Sequence, residues 1–195
     1  MDSTSWDQRY RGTGLVWTGD PNRFVREFLA DAIPAVAVDL GAGEGRNAVW
    51  LAQRGWHVTA VDFSAVGLAK TRSLAQAAGV TVATEVADAL EYCPPQPVDL
   101  VLLAYLQLPD VEQERLLRRI PGWLAPGGVV LVVAHDKSNV ADGWGGPPDA
   151  DVCYDVEATA AALAGLSVEF RDVLPREVIG ADRPALDTVV LARRG

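Results

Sequence analysis

The sequence predicts an α/β chain built on a doubly wound, mostly parallel sheet of about seven strands. Three observations point there. Short apolar runs rich in β-branched residues recur at 36–40, 57–61, 98–104 and 129–134, the pattern of strands buried on both faces. Stretches of helix-forming composition alternate with them, which calls for a sheet covered on both sides. The first run breaks into Gly41-Ala42-Gly43-Glu44-Gly45, a turn in which alternate glycines let the backbone reverse and leave room for a ligand.

Residues 1–20 carry Trp6, Tyr10 and Trp17 among Gly12, Gly14 and Gly19. A helical turn followed by an irregular segment is expected, either as a tail or as a cover whose aromatics pack on the body. Pro21 behind Asp20 predicts a helix start at 21, with Phe24, Phe28 and Leu29 on its core face. Asp39 ends the first strand, and Asn47–Ala52 continues the glycine turn as a helix. That layout sets backbone N–H groups and a helix N-terminus at the carboxyl end of a strand, where open α/β sheets bind ligands. A dinucleotide turn would place its last glycine at position 46, which is Arg46 here, so another nucleotide-like ligand is expected. A bare βα connection is the alternative.

The second strand, 56–61, ends in Asp62, placed to accept both hydroxyls of a ribose. A helix over 65–78 follows, capped by Ser64 and closed by Gly79. The run 80–87 leads to a second acidic tip, Asp88-Ala89, and residues 91–97 form a proline-stiffened loop. The fourth strand, 98–104, ends at Ala104 and Tyr105, and a helix over 111–120 carries a charged, solvated face. Leu124–Gly128 turns the chain into a fifth strand whose tip is His135-Asp136. An acidic loop at 141–151 holds Trp144, a helix at 155–164 starts on Asp155, and strands at 166–173 and 187–193 close the chain as a candidate antiparallel pair.

Five stretches together resemble the class I S-adenosylmethionine-dependent methyltransferases: Val38–Gly45, Val61-Asp62-Phe63-Ser64, Ala87-Asp88-Ala89, Val98–Val101 and Leu124–Val129. They occur in the family's order and spacing. The lead segment with Trp6-Asp7-Gln8-Arg9-Tyr10-Arg11 and Trp17 is similar to that of small bacterial members of the tellurite-resistance and thiopurine type. The resemblance implies a Rossmann-like sheet with the last strand inserted antiparallel, one domain over 1–195, and residues 1–20 as a lid. It also implies S-adenosyl-L-methionine as cofactor. The expected contacts are Trp17, Asp39, Gly41, Ala42, Gly43, Asp62, Phe63, Asp88, Ala89 and Ala104. Asp39 either serves the donor's ammonium or braces the turn, Phe63 lies against the adenine, and Asp88 accepts from its amino group.

Methyl transfer is an in-line displacement in which alignment does most of the work. A hydroxyl acceptor must also lose a proton, a task suited to histidine. Of the two histidines, His57 lies inside the second strand and reads as a packed or rim residue. His135 stands at the open end of the sheet and is the expected general base, oriented by Asp136, with Tyr105 near cofactor or acceptor. The first expectation is therefore O-methylation of a small hydroxylated molecule, possible sugars included. A soft sulfur, selenium or tellurium acceptor, or a domain that only binds the cofactor, are the alternatives.

Composition bounds the partners. With 17 basic and 26 acidic residues the net charge is −9, which opposes a nucleic-acid or anionic-membrane surface. Two distant cysteines, Cys93 and Cys153, give no metal or redox spacing, so no metal is expected. No apolar run approaches the roughly 20 residues of a membrane span, and the N-terminus lacks a leader pattern, so the expected location is the cytoplasm. A homodimer is left open.

Overall fold

The computed structural model describes residues 3–195. Among them, strands β1 (Val36–Leu40), β2 (His57–Asp62), β3 (Ala83–Val86), β4 (Val98–Ala104), β5 (Leu124–His135), β6 (Ser167–Arg176) and β7 (Ala185–Arg193) form one sheet in the order β3-β2-β1-β4-β5-β7-β6. The first five run parallel, and β7 is inserted antiparallel between β5 and β6. The helices are α1 (Ser3–Tyr10), α2 (Arg23–Phe28), α3 (Arg46–Gln53), α4 (Ala65–Ala77), α5 (Asp110–Leu117), α6 (Asn139–Asp142) and α7 (Val156–Ala162). No helix among the described residues is long and apolar enough to cross a membrane.

Strand alternation sorts the core into two layers. Val38, Leu40, Val101, Leu103, Val130 and Val132 pack under α5 and α7 with Leu116, Leu117 and Leu163. Ala37, Leu100, Leu102, Leu131 and Val133 face α2–α4 and meet Phe24, Leu51 and Leu68.

The differences from sequence expectation have local causes. Helix α2 starts two residues later than Pro21, because Asn22 and not Asp20 is the cap, its Oδ1 accepting from the amides of Phe24 and Val25. Strand β3 begins at Ala83, not 80: the Gly79 amide bonds Gln76 O and the Val80 amide bonds Ala75 O, a complete helix-ending motif that takes Val80 out of the sheet. Helix α5 stops at Leu117 and a single 3₁₀ turn follows over Ile120–Gly122, where Pro121 brings no N–H. Strand β5 starts already at Leu124, since the Gly127 amide bonds Arg194 O and the Arg194 amide bonds Gly128 O, drawing the expected turn into the ladder.

At the amino end, α1 packs on α4 and is followed by an irregular stretch, as composition predicts; Met1 and Asp2 of that segment lie outside the described residues. The acidic loop is more ordered than expected, containing α6 and a 3₁₀ turn at Ala150–Val152. His57 is an exposed residue at the start of β2, on the rim away from the carboxyl ends of the strands.

Candidate active site

The glycine turn is held by its own amides. Gly41 and Ala42 both donate to Val61 O at 2.8 and 3.0 Å, Gly43 donates to Asp62 Oδ2 at 2.8 Å, and Gly45 donates to Ala42 O at 2.9 Å. Gly43 (φ 56°) and Gly45 (φ 82°) both sit in the left-handed region. A side chain at Gly43 would meet the Tyr10 hydroxyl at 2.7 Å, and one at Gly45 would meet Thr71 at 2.3 Å. With four of its five amides spent internally the turn offers no phosphate nest, unlike the phosphate-cradling loops of nucleotide folds.

The turn is electronegative instead. Asp39 is fully buried beneath it; one side of the carboxylate takes a hydrogen bond from the Ala48 amide, while Oδ2 has no partner. Burial, and then the neighbouring Asp62 charge, push the Asp39 carboxyl up to about 7. Asp62 is itself raised, chiefly by burial, although its oxygens accept from the amides of Ser64 and Gly43. Neither carboxylate has an ion-pair partner among the described residues, Arg46 acting on Asp39 only through its charge, and that suits a cationic ligand.

Two adjoining hollows open over this turn. A cleft of about 80 Å³ is lined by Asp62, Phe63, Asp88, Ala89 and Trp6. The tips of β2 and β3 are tied there by the Ala87 amide to Asp62 O, and Asp88 Oδ1 accepts from the Leu90 amide. A cavity of about 310 Å³ beside it is lined by Gly41, Ala42, Gly43, Trp17, Ala104, Tyr105 and His135. Gly41, Tyr10 and Tyr105 belong to both walls. Every cofactor contact expected from sequence therefore lines one of the hollows except Asp39, which lies behind the turn and braces the start of α3.

The N-terminal segment straps across the opening. Glu44, 3% exposed, accepts from the amides of Val16 and Trp17 and from Lys70 Nζ at 2.9 Å, and Lys70 also reaches Gly14 O. Arg9 lies 5.1 Å from the ring centres of both Trp6 and Trp17, and Asp7 accepts from the Ser64 hydroxyl.

At the far wall a polar cluster surrounds His135. Its partner in the β5–β7 register is Asp187, a fully buried residue on β7, and His135 Nδ1 stands 3.3 Å from Asp187 Oδ1, an ion-pair distance without hydrogen-bond alignment. Asp187 Oδ2 accepts from the Tyr105 hydroxyl at 2.7 Å and from Arg176 Nε at 2.6 Å. Burial raises the Asp187 carboxyl, but contacts from His135, Arg176 and Tyr105 outweigh it and hold it below the ordinary range. The Tyr105 hydroxyl also accepts from Asn22 Nδ2 and Arg176 Nε, and its phenol is pushed up, mainly by burial. Tyr105 is a non-glycine residue at φ 61°, a strained conformation held by this network. Gly146 rests against the imidazole so closely that a Cβ there would come within 2.9 Å of the ring.

Asp136 does not orient His135. Neighbours on a strand point to opposite faces, and its carboxylate accepts from the Ser138 amide and hydroxyl and from the Thr188 hydroxyl. Asp187 holds the place expected of it. Trp144, 43% exposed, lines a surface hollow on the acidic loop and not the cavity with His135. Among the described residues no three His, Cys, Asp or Glu side chains gather as a metal site would need. Sequence reasoning also missed Asn22, Glu44 and Arg176. Asp187 alone left a trace, as a single charge in the apolar run of β7.

Residues 37–128 match the family model described as a methyltransferase domain. The ribosomal RNA small subunit methyltransferase C of Chromohalobacter salexigens is 33% identical over 116 residues, covering 55% of this chain and 33% of that protein. The chain spans between a third and two fifths of the length of the curated relatives it matches. Among solved structures, the N-methyltransferase NodS of Bradyrhizobium japonicum, in complex with S-adenosyl-l-homocysteine, superposes with a TM-score of 0.75 at 16% identity over 98% of this chain and 97% of that one. TehB of Haemophilus influenzae gives 0.75 at 16% over 99% and 67%. This chain shares its fold with both of these structures.

Proposed function

We propose that this chain, a class I S-adenosylmethionine-dependent methyltransferase by domain and fold, methylates a hydroxyl oxygen of a small molecule with His135 as general base. The residues fit the cofactor: the turn has no free amide nest for phosphate, and Asp39 Oδ2 and Asp62 stand short of a cation. When bound, the cofactor supplies an electrophilic methyl group on a positively charged sulfur. Asp62 would hold the ribose hydroxyls, Phe63 the adenine face, and Asp88 with the Ala89 amide the adenine edge. Trp6, Tyr10 and Trp17 close over them as the lid and exclude water.

The chain's own chemistry is alignment and one proton transfer. His135 lines the cavity that adjoins the glycine turn, and Asp187 sits against its Nδ1, leaving Nε2 as the nitrogen to take the acceptor's proton. Tyr105 and Arg176 hold Asp187 in place and so position the imidazole at one remove. The observation that carries this reading is the Asp187–His135 pair in the wall of the cofactor cavity. The acidic net charge of −9 supports a small acceptor over RNA.

The test screens hydroxylated small molecules, thiols and RNA transcripts for S-adenosylhomocysteine release, then compares His135→Ala. The expected result is turnover on a hydroxylated molecule, reduced about 10²–10⁴-fold in the variant with S-adenosylhomocysteine affinity unchanged. Near-normal turnover by the variant, or transfer to thiols or RNA alone, would overturn it.

A further inference from the structure

The charged residues lining the larger cavity, His135 aside, are three arginines, Arg23, Arg46 and Arg176, and one carboxylate, Glu44. That balance is opposite to the chain's net charge of −9. Glu44 is committed to Lys70 and the strap amides, and Arg23 has Glu27 at 3.7 Å. The guanidinium of Arg46, the first residue of α3, has neither an ion pair nor a hydrogen bond among the described residues. The titratable groups around it are Tyr105, Arg176, Asp39 and Tyr10, and burial pushes both phenols up so that they stay neutral. Arg176 commits Nε to Asp187 and Tyr105, and its two terminal nitrogens have no partner among the described residues. Two guanidinium groups therefore share one cavity and repel each other; Asp187 answers Arg176 through Nε alone, and Arg46 has no carboxylate at ion-pair distance among the described residues. Burial and the Arg176 charge both hold the Arg46 guanidinium below its ordinary value, with Tyr105, Asp39 and Tyr10 opposing, so the protein itself leaves this charge undercompensated.

We infer that the acceptor is a hydroxy acid whose carboxylate is clamped between Arg46 and the terminal nitrogens of Arg176. Guanidinium groups suit a planar carboxylate through paired, charge-assisted hydrogen bonds. Arg176 also fixes how far the acid lies from the reacting oxygen. Its Nε is 2.6 Å from one oxygen of Asp187, and His135 Nδ1 is 3.3 Å from the other. An anion held by Arg176 therefore keeps close company with the imidazole, which favours acids whose hydroxyl is one or two carbons from the carboxylate. This identity of the acceptor rests on the hydroxyl-methylation reading above, but the anion site is measured by binding and not by turnover.

The experiment loads the chain with S-adenosylhomocysteine and titrates salicylate and lactate, and in parallel their neutral amides, by calorimetry. The expected result is that the acids bind about tenfold or more tightly than the amides, and that Arg46→Met abolishes the difference. Arg46→Met should keep its affinity for S-adenosylhomocysteine within about threefold and melt no lower than the native chain, since it removes a charge that nothing in the protein pairs. Three results overturn the inference: acids binding no better than amides, Arg46→Met binding acids as the native chain does, or a loss of about tenfold in S-adenosylhomocysteine affinity. The last would assign the guanidinium to the donor's own carboxylate. His135→Ala separates the two readings, because acid binding survives in it even if His135 proves not to be the base.

Discussion

At the scale of single residues, Asp39 carries the clearest consequence. Its carboxyl is pushed up to about 7 by burial, against an ordinary value near 4. Between those two values the folded chain keeps a proton that the unfolded chain has released. Stability therefore falls as pH rises through that window, and the loss is complete above it. Asp39→Asn removes the cost while an amide oxygen can still accept from Ala48. The variant is expected to be more stable than the native chain at pH 8 by about 1–3 kcal/mol, with the gap closing toward pH 4, in urea unfolding. A native chain that is the more stable at pH 8 would show that burial of this charge is compensated. His135 and Asp187 illustrate a different lesson of the same scale. The tip of β5 was readable as a site from sequence, but which acid stands behind the imidazole was not. Adjacency along the chain suggested Asp136, whereas the pleat sends Asp136 to the other face and antiparallel pairing supplies Asp187 from across the sheet.

At the scale of elements, the strap and the last hairpin decide how the site is closed. Glu44 is 3% exposed and anchors the strap through Val16, Trp17 and Lys70. Glu44→Ala leaves two amides without their acceptor and the Lys70 ammonium with Gly14 O alone. It should lower stability by about 2–3 kcal/mol. It should also expose residues 11–19 to early proteolytic cleavage, and weaken S-adenosylhomocysteine binding. Unchanged cleavage and affinity would mean that the strap is held by its aromatics alone. The alternation of strands and helices was legible because the central strands β1, β2 and β4 are short apolar runs and α4 lies between recognisable caps at Ser64 and Gly79. Strand ends were not. Strand β6 runs to Arg176 because β7 pairs with it as far as Ala185, and only that extension brings the guanidinium to Asp187. Pairing across a hairpin leaves no periodic trace in an exposed edge strand, so Arg176 could not be placed in advance. Asn22 was hidden for a similar reason, since Asp20-Pro21 mimics a helix start two residues too early.

At the scale of the whole molecule, seven strands bring the tips of β1, β2, β3 and β4 to one end, where the glycine turn, two acidic tips and Tyr105 surround adjoining hollows. The central claim is that S-adenosylmethionine binds across them with Asp62 on its ribose. Calorimetry of the native chain and Asp62→Ala with S-adenosylhomocysteine, and with NADH as a control, tests it most directly. The account predicts one binding site in the native chain, affinity weakened on the order of 100-fold in Asp62→Ala, and no heat from NADH. Equal affinity in the two proteins, or binding of NADH in place of S-adenosylhomocysteine, would contradict it.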